Sequence, residues 1–202
     1  MPRAMGDIST PAPVKLIVGM LSSRREWLEQ AVRRMQQRFG PVDLAGEATE
    51  FTFTHYYDRD MGTVEVCNPD APGSGSPSPL LRQFVAFERL ISPEEIVDIK
   101  RFTNAVEDEF SSAAQRSPPR PVNLDPGYVA EGKLVLASTK DFAHRVYLGG
   151  GIYAEVTLLY GQGRWIPQKY TFPDYAAGAY DAFLTAARQS LRRQLGRKER
   201  PT

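Results

Sequence analysis

The stretch His144-Arg-Val-Tyr-Leu-Gly-Gly-Gly-Ile-Tyr-Ala-Glu-Val-Thr-Leu-Leu-Tyr160 places two strand-like runs around three consecutive glycines. Glycine adopts the positive φ angles that tight turns need, so this pattern predicts a β-hairpin with its loop at 149–151. The loop also predicts the register, which opposes Leu148 to Ile152, Tyr147 to Tyr153 and Arg145 to Glu155.

Opposed residues share one face of a sheet, so this register sorts the hairpin side chains into two sets. The first set is mostly apolar and comprises His144, Val146, Leu148, Ile152, Ala154, Val156 and Leu158. We expect it to face the core, which makes His144 a core histidine rather than a catalytic one. The second set is polar and comprises Arg145, Tyr147, Tyr153, Glu155 and Thr157. Its face is either solvated, with an ion pair between Arg145 and Glu155, or the wall of a ligand pocket.

The chain before the hairpin predicts the order β-α-β-β-α-β. Ser23, with Glu26 three residues later, predicts the cap of the first helix, and Ser92-Pro-Glu-Glu95 predicts the start of the second. This order is typical of a ferredoxin-like α+β fold, an antiparallel sheet with both helices on one face. The predicted strands are Lys15–Leu21, Phe51–Tyr57, Gln83–Ile91 and one beginning at Pro121–Leu124.

A C-terminal extension of hairpin, strand and helix follows this core. Trp165–Phe172 predicts a further strand, which lies at a sheet edge or in irregular structure because Pro167 cannot donate a backbone hydrogen bond. Asp174 predicts the cap of the last helix. Residues 129–140 fit either a strand or a short helix, and we favour the helix.

Length and composition predict one domain in a reducing compartment. The 202 residues carry a net charge of +1, 42% hydrophobic residues and a single cysteine, which excludes an internal disulfide and favours a cytoplasmic protein. The first apolar run, Leu16–Leu21, is too short to cross a membrane. The predicted division is a disordered tail at 1–13, a domain at 14–196 with a flexible hairpin insertion at 68–79, and a basic tail at 197–202.

Catalytic motifs give little guidance. The sequence contains no phosphate-binding glycine loop, no nucleophile elbow and only two histidines, so we predict no metal site. Asp125-Pro-Gly-Tyr128 predicts a turn, because Asp before Pro and a following Gly favour one. Such a turn either is purely structural or aims Asp125 and Tyr128 at the polar face, where Lys140 would add an anion contact.

Three functions are compatible with these residues, and the cofactor, if any, stays open. The leading hypothesis is binding of a small polar or anionic ligand, nucleotides included, by Tyr128, Lys140, Arg145, Tyr147, Tyr153 and Glu155. The second is a metal-assisted or acid–base phosphoester hydrolase with Asp125 and Glu155 as its carboxylates. The third, and weaker, is an RNA-associated or scaffolding protein that uses the basic C-terminus.

The Asp125-Pro-Gly-Tyr128 motif, together with several other segments of the chain, resembles an uncharacterised prokaryotic family, domain of unknown function 4416. The resemblance covers about residues 13–195 and departs at 63–79, which looks like an insertion. It implies that the block from Asp125 to Thr157 is the family's signature region, and it implies no activity. The matching segments are Asn123–Tyr128, Lys133–Lys140, His144–Leu148, Gly151–Leu158, Pro13–Leu16, His55–Tyr57, Met61-Gly62 and Leu90–Glu94.

Overall fold

The computed structural model describes residues 8–62 and 79–197, and within them it has five helices and nine strands. The helices are α1 Arg25–Phe39, α2 Asp58–Met61, α3 Ile96–Ala113, α4 Pro173–Ala176 and α5 Asp181–Gln194. The strands are β1 Val14–Ser22, β2 Val42–Ala45, β3 Thr49–Glu50, β4 Leu81–Ile91, β5 Val122–Ala130, β6 Lys133–Ser138, β7 Val146–Gly149, β8 Ile152–Gly161 and β9 Arg164–Pro167. In coarse form, the predicted mixture of helices and antiparallel strands is confirmed.

The nine strands form one antiparallel sheet. Its main path runs β2-β4-β1-β5-β6-β8-β7, while β3 pairs with β4 and β9 pairs with β8. The sheet is larger than the predicted β-α-β-β-α-β pattern, because β6 to β9 continue it beyond β5.

The central strand β1 is buried along its whole length, because helices cover both faces of the sheet beside it. Leu16 and Val18 face α1 and α3 in the larger core. Ile17 points to the opposite face, where α5 packs through Leu184 and Ala187. Alternate residues of β1 therefore point into two different cores, which explains why β1 carries an uninterrupted apolar run.

One of the two predicted caps in the first half of the chain is confirmed and the other is wrong. The Ser92 N–H donates to Glu95 Oε1 at 2.9 Å, and a 3-10 turn over Pro93–Glu95 leads into α3. The first helix, in contrast, begins at Arg25, and Ser23 lies outside it. The Ser23 hydroxyl donates instead to Met61 O at 2.8 Å, which ties the start of α1 to α2.

The predicted strand Phe51–Tyr57 is wrong. The segment has no regular strand and leads directly into α2, and the second strand position is taken by β2. Alternating aromatic residues suggested a strand, but Phe51 and Tyr57 pack against a small core under this segment instead.

The predicted turn at Asp125-Pro-Gly-Tyr128 is also wrong, because these residues lie within β5. Pro126 is tolerated there since β6 pairs with β5 only from Gly127 onward. Gly127 is required by close contact and not by a turn. A Cβ at this position would lie 2.3 Å from Val135 O and 2.6 Å from Leu136 Cδ2.

Residues 133–138 form strand β6, so the favoured helix at 129–140 is wrong. β6 pairs with β5 on one side and β8 on the other. Between Leu134 and Val135 the pairing with β8 shifts by one residue, which leaves Thr157 as the extra residue of a bulge.

The predicted hairpin forms, with part of its register. Tyr147 opposes Tyr153 as predicted, but Gly149 rather than Leu148 opposes Ile152, because the pairing shifts near the loop. The first set of side chains is not uniformly buried. Val146 and Leu148 are exposed, since β7 ends the main path of the sheet.

The last helix begins later than predicted. Asp174 lies in the short helix α4, and α5 begins at Asp181 after a turn through Gly178. The predicted strand at 165–172 is shortened to β9, which ends at Pro167. Among the described residues, no helix is long and apolar enough to cross a membrane. The predicted tails and insertion at 1–7, 68–78 and 198–202 lie outside the described residues.

Candidate functional site

A cavity of about 640 Å³ opens where β5 and β6 separate. The first half of β5, Val122–Pro126, pairs with β1 but not with β6. Beyond Leu136, β6 pairs with β8 alone. The gap exposes side chains of both strands to a common space, and the strand contact at Gly127 marks where the gap ends.

Aromatic side chains form much of the cavity wall. The segment before α2 contributes Phe51, Phe53, Tyr56 and Tyr57, and the opposite side contributes Phe142, Phe172 and Tyr175. Four of them, Phe53, Tyr56, Phe142 and Phe172, are between 42% and 67% exposed and so surround the mouth. Exposed aromatic faces around a cavity can stack against a planar ligand.

Arg82 of β4 is a buried cation at the deep end of the cavity. Its Nη1 donates to Asp125 Oδ2 at 3.2 Å and its Nη2 donates to Tyr175 OH at 3.0 Å. Gly19 makes room for this group, because a Cβ there would lie 2.9 Å from Arg82 Nη2. Within the described chain, Arg82 Nε is the one fully buried side-chain nitrogen or oxygen without a hydrogen-bond partner.

A second arginine joins this network through an amide. Asn123 donates from Nδ2 to Asp125 Oδ2 at 2.7 Å, and its Oδ1 accepts a short hydrogen bond from Arg120 Nη2. Arg120 in turn contacts Glu107 Oε2 through Nη2 at 2.9 Å. The other oxygen of Glu107 accepts the Leu124 N–H at 2.8 Å, so the network holds the start of β5 against α3.

Asp125 is surrounded by positive charge. Burial would by itself raise the pKa of Asp125, but Arg82, Lys100 and Arg120, with the Asn123 hydrogen bond, outweigh that effect and hold the pKa below its usual value. The carboxylate is therefore ionised near neutral pH. Its side chain remains 31% exposed, so it is available to a ligand as a hydrogen-bond acceptor.

Glu155 forms a separate network nearer the end of β6. Its side chain is only 1% exposed, and its Oε2 accepts from Arg145 Nε at 2.8 Å and contacts His144 Nε2 at 3.1 Å. Thr157 donates to Oε1 at 3.2 Å. Arg145 also donates from Nη1 to Ser138 Oγ at 2.8 Å and to Lys140 O at 3.0 Å.

His144 is not the core residue that the hairpin pattern predicted. It is partly exposed and stacks against Tyr170, with ring centroids 4.3 Å apart and planes 8° apart. The physical reason is that β7 begins only at Val146, and the Arg145 N–H donates to Phe142 O in a turn. Strand alternation does not apply to a residue in that turn, so His144 reaches the same carboxylate as Arg145.

Comparison with known families adds one result. The model of the family "Domain of unknown function (DUF4416)" matches residues 12–68 and 73–191. The chain belongs to this family. No curated protein and no solved structure matches the chain. The DUF4416 match breaks only at 69–72, inside the stretch that the sequence marks as an insertion.

The cavity of this DUF4416 chain brings together four of the predicted site residues. Asp125, Lys140, Arg145 and Glu155 all line it. The other three, Tyr128, Tyr147 and Tyr153, are not part of the described cavity wall. Tyr128 packs against the core that faces α1 and α3, and the rings of Tyr147 and Tyr153 contact each other with centroids 5.1 Å apart.

Several cavity residues were missed by the sequence analysis, namely Arg82, Lys100, Arg120, Asn123 and the aromatic wall. Lys100 carried a usable signal. It lies four residues after Ile96 and three before Thr103, so it falls on the buried stripe of α3. Its ammonium is buried and donates to Leu124 O at 2.9 Å. Its place on an apolar helix face is the sequence feature that indicates this burial.

Two further groups of this DUF4416 protein bear on the alternative functions. In the described ranges, no cluster of three or more His, Cys, Asp or Glu side chains could hold a metal ion. At the basic C-terminus, Arg192 contacts Glu131 Oε2 at 2.6 Å, and Arg188 donates to Glu131 O and lies 3.8 Å from the Tyr160 ring centroid.

Proposed function

We propose that the chain binds a small anionic ligand, nucleotides included, in the cavity between β5 and β6. The observation that carries this proposal is the charge of the described wall. Five cations line it, Arg82, Lys100, Arg120, Lys140 and Arg145, against the three carboxylates Asp125, Glu155 and Asp174. The cations remain in excess when Glu107, which pairs with Arg120 from outside the wall, is counted as a fourth carboxylate. An excess of positive charge in a partly enclosed space attracts anions.

Size and shape support the same proposal. A volume of about 640 Å³ falls within the range of roughly 300–1,000 Å³ that small-molecule sites occupy. The wall combines apolar aromatic surface with a few fixed polar groups, which is the usual composition of such sites. Arg145 is 6% exposed and held by Glu155 and Ser138, so it needs little reorganisation on binding.

A thermal-shift screen against nucleotides, phosphorylated metabolites and dicarboxylates tests the proposal. A ligand at one hundred times its Kd stabilises the folded state by about 2.7 kcal/mol. For a chain of this size that corresponds to a rise in Tm of roughly 5–11 °C. If no anionic compound in the screen raises Tm by more than about 1 °C, the proposal is wrong.

A matched pair of variants locates the binding. Phe142→Ala removes an exposed ring from the mouth of the cavity, whereas Leu159→Ala removes an exposed side chain of β8 that lies outside its wall. If the screen identifies a nucleotide, we expect Phe142→Ala to weaken its binding about tenfold, since ring stacking contributes around 1–3 kcal/mol per base. Leu159→Ala should leave the affinity unchanged. Equal effects of the two variants would contradict binding in this cavity.

The hydrolase alternative rests on one observation, that Asp125 and Glu155 line the same cavity. Glu155 already accepts hydrogen bonds from two neighbours and contacts His144, and the low pKa of Asp125 makes it a poor proton donor. The alternative predicts phosphate release from nucleoside phosphates that is lost in Asp125→Asn. Absence of release, with and without added Mg²⁺, would contradict it.

We also propose a fold subtype and a cellular location. The order β2-β4-β1-β5, with α1 and α3 on one face, supports a ferredoxin-like core. The single cysteine supports a cytoplasmic location. RNA binding through the C-terminus has less support, because Arg188 and Arg192 are engaged by Glu131.

A further inference from the structure

The charged groups at the deep end of the cavity are largely satisfied by the protein itself. Arg82 pairs with Asp125 at 3.2 Å, and Arg120 pairs with Glu107 at 2.9 Å. The buried Lys100 donates to a backbone carbonyl and lies in the field of both carboxylates. Asp174, also buried, adds a third carboxylate to Asp125 and Glu107. The deep end therefore holds three carboxylates and three cations.

The mouth is different, because two cations there share one carboxylate. Lys140 is exposed and has no carboxylate within 4.0 Å among the described residues, and its ammonium lies 5.4 Å from the Tyr56 ring centroid. Arg145 uses Nε and Nη1 for Glu155, Ser138 and the Lys140 carbonyl, which holds the guanidinium beside the Lys140 backbone.

The Nη2 group of Arg145 is available as well. It donates to no group in the described part of the chain, and it is not among the fully buried unpartnered atoms. The mouth therefore offers one free guanidinium nitrogen and one free ammonium. Together they offer two charge-assisted donors to a phosphate monoester, which carries a charge of about −2.

The deep end offers a free acceptor rather than a free donor pair. Asp125 accepts both of its hydrogen bonds through Oδ2, and Oδ1 accepts none from the described residues. The carboxylate is ionised and partly exposed, so Oδ1 suits an O–H or N–H of a ligand. A phosphate placed there would instead approach Asp125 and Asp174, and like charges repel.

Because the mouth offers free cations and the deep end offers a free carboxylate oxygen, the cavity favours one orientation of a bound ligand. Resting on the proposed function, we infer that the ligand is a nucleoside monophosphate bound in one orientation. Its phosphate contacts Lys140 and Arg145 at the mouth, its base stacks on the exposed rings beside them, and one of its O–H or N–H groups donates to Asp125 Oδ1.

Isothermal titration calorimetry with matched ligands tests this orientation. The probes are the four common nucleoside 5′-monophosphates and the corresponding nucleosides, which lack only the phosphate. The variants are Lys140→Ala and its control Lys133→Ala, which removes an exposed lysine of β6 outside the cavity wall. Both positions are exposed, and circular dichroism with Tm verifies that each variant is folded.

The expected result is a loss of affinity that depends on the ligand's phosphate group. Lys140→Ala should lower the affinity for the best-binding monophosphate by about tenfold to a hundredfold, the value of a charge-assisted hydrogen bond. It should lower the affinity for the corresponding nucleoside by less than about twofold. Lys133→Ala should change neither affinity. Asp125→Asn should lower the affinities for monophosphate and nucleoside by the same factor, because both ligands retain the O–H or N–H group that donates to Asp125.

Two results would overturn the inference, and they are distinguishable. If Lys140→Ala weakens nucleoside and monophosphate equally, or affects neither, the orientation is wrong while anion binding in the cavity stands. If no monophosphate binds the wild-type chain at millimolar concentration, the nucleotide assignment is wrong. In that case a Tm shift with another anion would still support anion binding in the cavity. The absence of a Tm shift with any anion would contradict both the nucleotide assignment and the proposed function.

Discussion

Replacing Gly127 with alanine tests how the cavity is built. The added Cβ would lie 2.3 Å from Val135 O, 2.6 Å from Leu136 Cδ2 and 3.3 Å from Leu136 Cα. Two of these contacts are to backbone atoms, which cannot rotate away. The strands β5 and β6 would have to separate by about 1 Å to restore an ordinary van der Waals contact.

The cost follows from overpacking and from lost ladder hydrogen bonds. Overpacking of a core costs roughly 1–3 kcal/mol, and each backbone hydrogen bond that is lost costs about 0.5–1.5 kcal/mol. With one or two bonds broken between Gly127 and Ala130, we expect a loss of about 3 kcal/mol in the free energy of unfolding. For a chain of this length, Tm falls by roughly 6–12 °C.

The control lies in the same strand pair. Gly132→Ala changes a residue of the β5–β6 turn whose added Cβ would meet no atom within 4 Å. This variant should be neutral or gain about 0.4–1 kcal/mol, because alanine restricts the unfolded chain. Thermal and urea unfolding of both variants measure the difference. A Tm for Gly127→Ala within about 2 °C of the wild type would refute the close-contact explanation.

Three further predictions concern charged groups. Because folding lowers the pKa of Asp125, the ionised carboxylate stabilises the folded state fully above its unfolded pKa of about 3.9, and this effect is lost as pH falls through the folded pKa. The difference in the free energy of unfolding between wild type and Asp125→Asn should therefore narrow on acidification. A constant difference in urea unfolding from pH 6 to pH 3 would contradict this. Glu155→Gln should lower the free energy of unfolding by about 3 kcal/mol, because it removes the charge that balances buried Arg145, and a loss below about 1 kcal/mol would refute that pairing. Glu95→Ala should lower Tm by about 2–4 °C through loss of the Ser92 hydrogen bond, whereas Glu94→Ala should not, and equal shifts would argue against the cap.

Local chemistry made parts of the fold predictable. The three glycines of the hairpin loop and the alternation around them predicted β7 and β8, the Tyr147–Tyr153 pair and the meeting of Arg145 with Glu155. These features depend on residues close in sequence, so the sequence alone contains the information that determines them.

The errors arise where distant residues decide the conformation. Nothing adjacent to Gly127 indicates that Val135 will approach it to within contact, so Asp125-Pro-Gly-Tyr128 looked like a turn. The aromatic residues at 51–57 alternate as a strand would, yet they line a cavity and a small core that other elements complete.

The candidate site was predictable only in part. The hairpin contributed Arg145 and Glu155 through a local pattern, but Arg82 and Arg120 reach the cavity from strands and loops far away in the sequence. Both belong to the hydrogen-bond network around Asp125, which accepts from Arg82 directly and is linked to Arg120 through Asn123. Only the tertiary fold brings these three charges together.

The most direct test of the proposed function is a crystal structure of the chain saturated with the nucleoside monophosphate that raises Tm most. We expect the ligand in the cavity between β5 and β6, with phosphate oxygens in contact with Arg145 and Lys140. A ligand bound anywhere outside this cavity, or no bound ligand at saturating concentration, would contradict the account.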